Sequence, residues 1–237
     1  MTTPYSLKKL VTLLQKYVVK NVYADHNKSK SVTEELTRLI AEFSGKKILN
    51  LGSGDTKLHP SIINLDIETG PMVDIIGSAD NVPMDDFSVD LVISQEMLEH
   101  VISPSRVMKE IHRILRPDGT LYLQVPWIIG YHGCPGDYWR FSRDGIRAIV
   151  EENGFTVQRL EETVGPFTGF YRVSVEAFAI LGSIFTAKAY KPFKLFAALL
   201  LSPLKLLDLL SWRSGQSHRL AGGFFVVAIK STEASLI

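Results

Sequence analysis

Between Lys46 and Val164 short apolar runs alternate with amphipathic helical patterns, and this alternation leaves few architectures open. The runs are 47–51, 62–67, 73–76, 89–94, 120–125 and 155–160, with a last one at 222–230 after a long interval. Each is short, aliphatic and bounded by turn residues, as buried strands are. Between them, Leu36, Leu39, Ile40 and Phe43 share one helical face. So do Val107, Met108, Ile111, Ile114 and Leu115, where Pro117 and Gly119 end the helix. Ser142 is placed to cap a further helix carrying Ile146, Ile149 and Val150, closed by Asn153-Gly154. Strands alternating with helices predict an α/β fold built on a mostly parallel, seven-stranded sheet.

Composition narrows the partners. The 237 residues are 46% apolar and 22% charged, enough to bury a substantial core. A net charge of +1 speaks against a dedicated nucleic-acid binder. The single cysteine, Cys134, excludes an internal disulfide and fits a reducing compartment. Residues 1–9 lack the apolar core of a secretory signal, so the expected location is the cytoplasm, extending to the inner face of the membrane.

Composition shifts between residues 165 and 220. Val173–Ala187 carries one charge, Glu176, and Leu195–Trp212 carries two, Lys205 and Asp208. Neither stretch reaches the roughly 20 apolar residues a spanning helix needs. On a helical wheel Lys191, Lys194, Ser202, Lys205 and Asp208 fall in one sector, and the rest is almost all Leu, Phe or Ala. A basic amphipathic helix lying in a membrane interface is expected, kinked at Pro203, with the lysines toward head groups. A lid over the substrate cleft or a dimer interface would use the same apolar surface. Residues 8–20 repeat the pattern more weakly. The expected organisation is an N-terminal helical segment or lid over 1–45, a sheet domain over 46–164 and 221–230, and a helical insertion over 165–220.

The strongest local signal is Ile48-Leu-Asn-Leu-Gly-Ser-Gly-Asp55, a buried strand running into Gly-x-Gly. At the carboxyl end of a parallel strand, missing side chains let a ligand approach the backbone. One strand later, Asn64-Leu-Asp66-Ile67 ends in a carboxylate able to accept hydrogen bonds from two ribose hydroxyls. A nicotinamide-dependent oxidoreductase is the obvious competitor. Against it, Lys57 occupies the third glycine position, and the acid follows Gly54 by 12 residues rather than the roughly twenty expected.

Together with Ser78-Ala-Asp-Asn-Val-Pro-Met-Asp-Asp-Phe-Ser-Val-Asp-Leu-Val, Leu98-Glu-His-Val and Ile114-Leu-Arg-Pro-Asp-Gly-Thr-Leu, these motifs resemble the class I S-adenosylmethionine-dependent methyltransferases. The resemblance is to the subgroup related to ubiquinone and menaquinone biosynthesis enzymes, over about residues 46–155 plus the final strand. It implies a Rossmann-like sheet whose last strand lies antiparallel beside the fifth, and S-adenosylmethionine as cofactor. Gly52, Ser53 and Gly54 match the turn against the methionine part, and Asp66 matches the ribose-holding acid, with Ile67 against adenine. Ala79 and Asp80 match the loop at the adenine edge; Ser94, Gln95 and Glu96 match the end of the fourth strand beside the sulfonium. Three departures stand out. Asn50 sits among the cofactor positions where the family often has an acid. Ser78 stands where it often has Asp. Only Asp55–Ser61 separates the glycine turn from the second strand, too few residues for a crossover helix.

After the fifth strand comes Trp127-Ile-Ile-Gly-Tyr-His-Gly-Cys-Pro-Gly-Asp-Tyr-Trp-Arg-Phe141. Runs ending in Asp-Tyr-Trp-Arg-Phe resemble those of family members from polysaccharide and lipid gene clusters. They imply substrate grip by Tyr138, Trp139 and Arg140, with His132 as base, assisted by Asp137. Aromatic packing and an Arg140–Asp137 pair would account for the same residues structurally. His100, beside Glu99, reads as a capping or packing residue, and no His or Cys spacing suggests a metal. The expected function is methylation, most simply O-methylation, of a lipid-linked sugar or other amphiphilic small molecule at the membrane surface. The rivals are the oxidoreductase above and a membrane adaptor without turnover. No nucleic acid is expected as partner, and the oligomeric state is open.

Overall fold

A computed structural model describes residues 29–133, 135–184, 186–211 and 214–231. Cys134 and the amphipathic pattern over 8–20 lie outside them. The described residues fall into two units, one over 30–127, 131–163 and 223–231, the other over 128–130 and 164–222.

The first unit is built on a seven-stranded sheet: β1 (Ile48–Leu51), β2 (Ile63–Asp66), β3 (Ile75–Ile76), β4 (Val89–Gln95), β5 (Leu115–Pro126), β6 (Phe155–Val164) and β7 (Gly223–Lys230). Their order is β3-β2-β1-β4-β5-β7-β6. The first five pair in parallel, and β7 runs antiparallel to β5, with Leu123 opposite Val226. The central strands β1, β4 and β7 and the second half of β5 are buried almost throughout, as strands covered on both faces are, whereas β6 at the edge is largely polar and exposed. Helix α1 (Lys30–Glu42) puts Val32, Leu36 and Leu39 into a core shared with Ile48, Leu91, Ile93, Tyr122 and Phe225. Its buried Glu35 is paired with Arg38 and with Arg159 of β6.

Helix α2 (Pro104–Ile114) ends where β5 begins, because Leu115 is already extended (φ −69°, ψ 137°). Lys230, at the end of β7, donates to the carbonyls of His112 at 2.6 Å and Leu115 at 2.9 Å. A cation there satisfies carbonyls the helix end leaves over. Helix α3 (Arg143–Glu152) has the predicted cap: Ser142 Oγ accepts from the Gly145 N–H at 3.1 Å.

β1 and β2 are parallel, yet no helix joins them. The buried amides of Asn50 and Asn64 hold the connection instead. Asn50 Nδ2 donates to Asn64 Oδ1 at 3.2 Å and to the Thr56 carbonyl at 3.3 Å. Asn64 Nδ2 donates to the carbonyls of Thr56 at 3.0 Å and Met72 at 2.8 Å. Lys57 adds an ion pair to Asp74 at 2.5 Å.

The second unit is helical: α4 (Pro166–Ser183), α5 (Tyr190–Leu201), a 3-10 stretch Ser202–Leu207 and the short turn α6 (Asp208–Ser211). The α-helix gives way to 3-10 geometry around Pro203, which has no N–H to continue the ladder. Tyr171, Val175, Ala197 and Ala198 form its core. Asp208 caps α4 from a distance, accepting from the N–H groups of Phe167 at 2.8 Å and Thr168 at 2.9 Å.

Of the three lysines expected to face head groups, Lys191 is exposed, but Lys194 and Lys205 turn inward. Lys194 binds Glu176 at 2.8 Å, and Lys205 lies 5.2 Å from the centre of the Tyr171 ring. Polar residues hold the unit together, because an ammonium on an unbranched stem reaches inward to a carboxylate or ring face. The apolar side chains are left outside: Ile184, Leu206, Leu209 and Phe196 are each more than 60% exposed. No helix of the described residues is long and apolar enough to cross a membrane.

Candidate active site

At the carboxyl ends of the first four strands lies a cavity of about 320 Å³. Gly52 and Gly54 form its floor, with positive φ of 71° and 48°. A Cβ at Gly52 would meet Met97 Cγ at 2.3 Å, so the close approach of the chain after β4 requires glycine there. Asp66 fastens this turn to β2. Its Oδ2 accepts from the Gly54 N–H at 2.8 Å, and its Oδ1 accepts from the Glu68 N–H at 3.0 Å. Ile67 stands 63% exposed beside the opening.

Ala79 and Ser78 line the third side. Asp80 points elsewhere, taking a hydrogen bond from Ser78 Oγ at 2.6 Å and facing Arg106 at 3.6 Å. The loop carrying these residues is tied to α2 by Arg113. That guanidinium donates to the carbonyls of Val82 at 2.9 Å and Met84 at 2.8 Å and pairs with Glu110 and Asp86.

Glu96 closes the fourth side from a left-handed backbone position, φ 51°, which a non-glycine residue adopts at a cost of order 1–3 kcal/mol. Its carboxylate accepts from Gln124 Nε2 at 3.1 Å, and Gln124 Oε1 in turn accepts from Gln95 at 3.1 Å and Tyr122 at 3.0 Å. Gly52, Gly54, Asp66, Ile67, Ala79 and Glu96 therefore meet at one cavity. Asn50, Ser53, Asp80, Ser94 and Gln95 do not line it. Asn50 and Ser94 are buried behind it, and Asn50 is committed to the β1–β2 connection.

The loop after β5 brings in His132 and Asp137. Asp137 is buried and forms a two-pronged pair with Arg140, one contact being 2.6 Å. It also accepts from the His132 backbone N–H at 2.9 Å. Arg140 holds the Asp137 carboxyl well below the usual carboxylate range, down to about 2. This pair shapes the loop. Tyr138 and Trp139 pin it through their backbone N–H groups to the Glu99 carbonyl, at 2.8 and 3.3 Å, and leave their rings half exposed.

One participant escaped the sequence reading. Glu99 is wholly buried in the 3-10 turn Leu98–His100, and neither carboxylate oxygen has a hydrogen-bond partner among the described residues. Its closest polar neighbours are His100 Nε2 at 3.5 Å and His132 Nε2 at 3.6 Å. The Glu99 carboxylate raises the His132 imidazole above its usual value, against partial burial and with help from Asp137. His100 also lines the cavity, so this cluster opens onto it. In the sequence Glu99 stands only within Leu98-Glu-His-Val beside His100, and no spacing joins either residue to His132.

Residues 57–123 match the family model of a methyltransferase domain. Over 122 residues the chain is 34% identical to an uncharacterized methyltransferase of Schizosaccharomyces pombe, covering 41% of this chain and 48% of that protein. Over 155 residues it is 26% identical to a Mycolicibacterium smegmatis protein named "Probable S-adenosylmethionine-dependent methyltransferase", covering 56% of this chain and 59% of that one. The chain spans about half the length of the curated relatives it matches. Among solved structures, the [4+2]-cyclase SpnF superposes with a TM-score of 0.54 at 18% identity, covering 96% of this chain and 94% of that one. A cyclase sharing the fold means that the sheet alone does not decide the reaction. Sheet order and antiparallel β7 give the first unit the class I methyltransferase fold, and residues 57–123 within it match the methyltransferase-domain model. The methyl donor of that class is S-adenosylmethionine.

Proposed function

We propose that this chain transfers a methyl group from S-adenosylmethionine to a hydroxyl of an amphiphilic small molecule, such as a lipid-linked sugar, at a membrane surface. The cavity at the strand ends fits a nucleoside with an amino-acid tail. Asp66 meets the ribose, Ile67 and Ala79 the adenine, and the Gly52–Gly54 turn and Glu96 the methionine end. Asp66 is the observation that carries this reading. It stands on the cavity wall with its carboxylate already fixed by two backbone N–H groups.

Methyl transfer from a sulfonium releases a neutral thioether, so the leaving group needs no acid. The protein has to supply alignment and, for a hydroxyl acceptor, removal of a proton. The Glu99–His100–His132 cluster beside the cavity is suited to that task, with Asp137 and Arg140 holding the His132 loop. The exposed rings of Tyr138 and Trp139 suit a sugar face. The outward apolar side chains of the helical unit favour an amphiphilic acceptor, because so large an exposed apolar surface marks an interaction site.

Incubating the protein with deuterated-methyl S-adenosylmethionine and lipid or glycan extracts, followed by mass spectrometry, tests this directly. A labelled methyl on a lipid-extractable product is expected. Label found only in polypeptide or nucleic acid, or none above a no-enzyme control, contradicts it.

A further inference from the structure

We propose that Glu99, His100 and His132 hold a divalent transition-metal cation of the zinc type. The inference rests on the methyl-transfer reading only for what the cation does, not for whether it binds. One ligand atom from each residue lies within 4.8 Å of the others. Glu99 Oε1 is 3.5 Å from His100 Nε2 and 3.6 Å from His132 Nε2. At metal–ligand bonds of about 2.1 Å, two ligands of a tetrahedral site stand about 3.4 Å apart. Both separations are near that value.

The second observation is the carboxylate itself. Glu99 is fully buried, and its two oxygens have no hydrogen-bond donor among the described residues. A buried, unsatisfied carboxylate is costly, and a cation between it and two imidazoles removes that cost. The histidines are also prepared for ligation. His100 Nδ1 is hydrogen-bonded to the Gly136 carbonyl, which puts the proton on Nδ1 and leaves the Nε2 lone pair toward Glu99. His100 thus has the outer oxygen partner that metal-binding histidines use, while His132 Nδ1 stands 3.8 Å from Asp137, outside hydrogen-bond distance. Two nitrogens and one carboxylate suit zinc-like ions, whereas Mg²⁺ prefers oxygen throughout.

With three protein ligands a coordination position stays open toward the cavity that His100 lines. An acceptor hydroxyl bound there becomes more acidic, and its proton passes to bulk water. The oxygen lone pair then forms the O–CH₃ bond as the C–S bond breaks, the bonding pair remaining on sulfur. In this arrangement His132 acts as a ligand and no side-chain base is needed, because the cation acidifies the hydroxyl and bulk water takes its proton.

The test uses the full chain after chelation and dialysis, titrated with Zn²⁺ by calorimetry and with Co²⁺ by visible absorption. One equivalent of either ion is expected, with Co²⁺ bands of low-coordinate geometry. Binding should fall at least about 100-fold in both His132→Ala and Glu99→Gln and stay unchanged in His59→Ala. Glu99→Gln preserves shape and His132 is partly exposed, so circular dichroism and melting separate misfolding from lost ligation. Absence of stoichiometric binding, or binding unaltered in both variants, overturns the proposal. Methyl transfer that survives chelation undiminished but fails in His132→Ala overturns the cation's part in the reaction and assigns His132 as a direct base. Tight Zn²⁺ binding without methyl transfer to any extract upholds the metal site and refutes the methyl-transfer reading.

Discussion

Asn50 Nδ2 donates to Asn64 Oδ1 at 3.2 Å across the β1–β2 pair, and the two amides share the Thr56 carbonyl as a second acceptor. Two buried amides thus do what a crossover helix does in a longer connection. Asn64→Ala removes the donors to Thr56 and Met72 and leaves Asn50 with the Thr56 carbonyl alone, all inside the fold. A loss of about 2–3 kcal/mol is expected, read as a lower denaturant midpoint with an unchanged slope. A midpoint equal to that of the wild type contradicts the arrangement.

Arg113 hydrogen-bonds Glu110 and holds its carboxyl below the usual carboxylate range, an effect that burial opposes and the Val82 N–H supports. A depressed carboxylate contributes stability that is present above its unfolded value near 4.5 and lost as pH falls through the folded value. The melting temperature of wild type should exceed that of Glu110→Gln at pH 7, and the gap should close by pH 3. A gap that persists in acid would show that the ion pair contributes nothing.

Asp208 caps α4 from 40 residues away in sequence. Asp208→Ala should cost about 1–2 kcal/mol within the helical unit. Hydrogen exchange at residues 166–170 should accelerate, while β4 and β5 remain protected. Uniform acceleration across both units would place the effect elsewhere.

Lys194 and Lys205 are turned into the helical unit, which leaves apolar contact, with Lys191 the one exposed lysine of the three, as its main route to a bilayer. Flotation with liposomes should therefore recover the protein with only weak preference for anionic lipid. Leu206→Gln with Leu209→Gln should reduce recovery several-fold. Equal soluble recovery of wild type and variant, with or without liposomes, excludes the membrane role.

Strands and helices were legible because their apolar spacing is local. Every predicted strand formed, and Ser142 capped its helix as its position implied. The glycine turn and Asp66 were legible for the same reason: each sits at the end of a strand the pattern already marks. Wheel placement gave the polar sector of the insertion but not its direction. That depends on Glu176 and Tyr171, on a different helix. The Glu99 cluster was hidden by topology. His132 reaches Glu99 only because residues 138 and 139 fasten the loop to the Glu99 backbone, a contact no spacing encodes.

Calorimetric titration with S-adenosylhomocysteine tests the central claim, that the cavity between the Gly52–Gly54 turn and Asp66 is the methyl-donor site. The account predicts one site per chain, no competing heat from NAD, and a loss of roughly 2–4 kcal/mol in Asp66→Ala with folding intact. Binding of S-adenosylhomocysteine with the same affinity by Asp66→Ala, or no binding by the wild type, would contradict it.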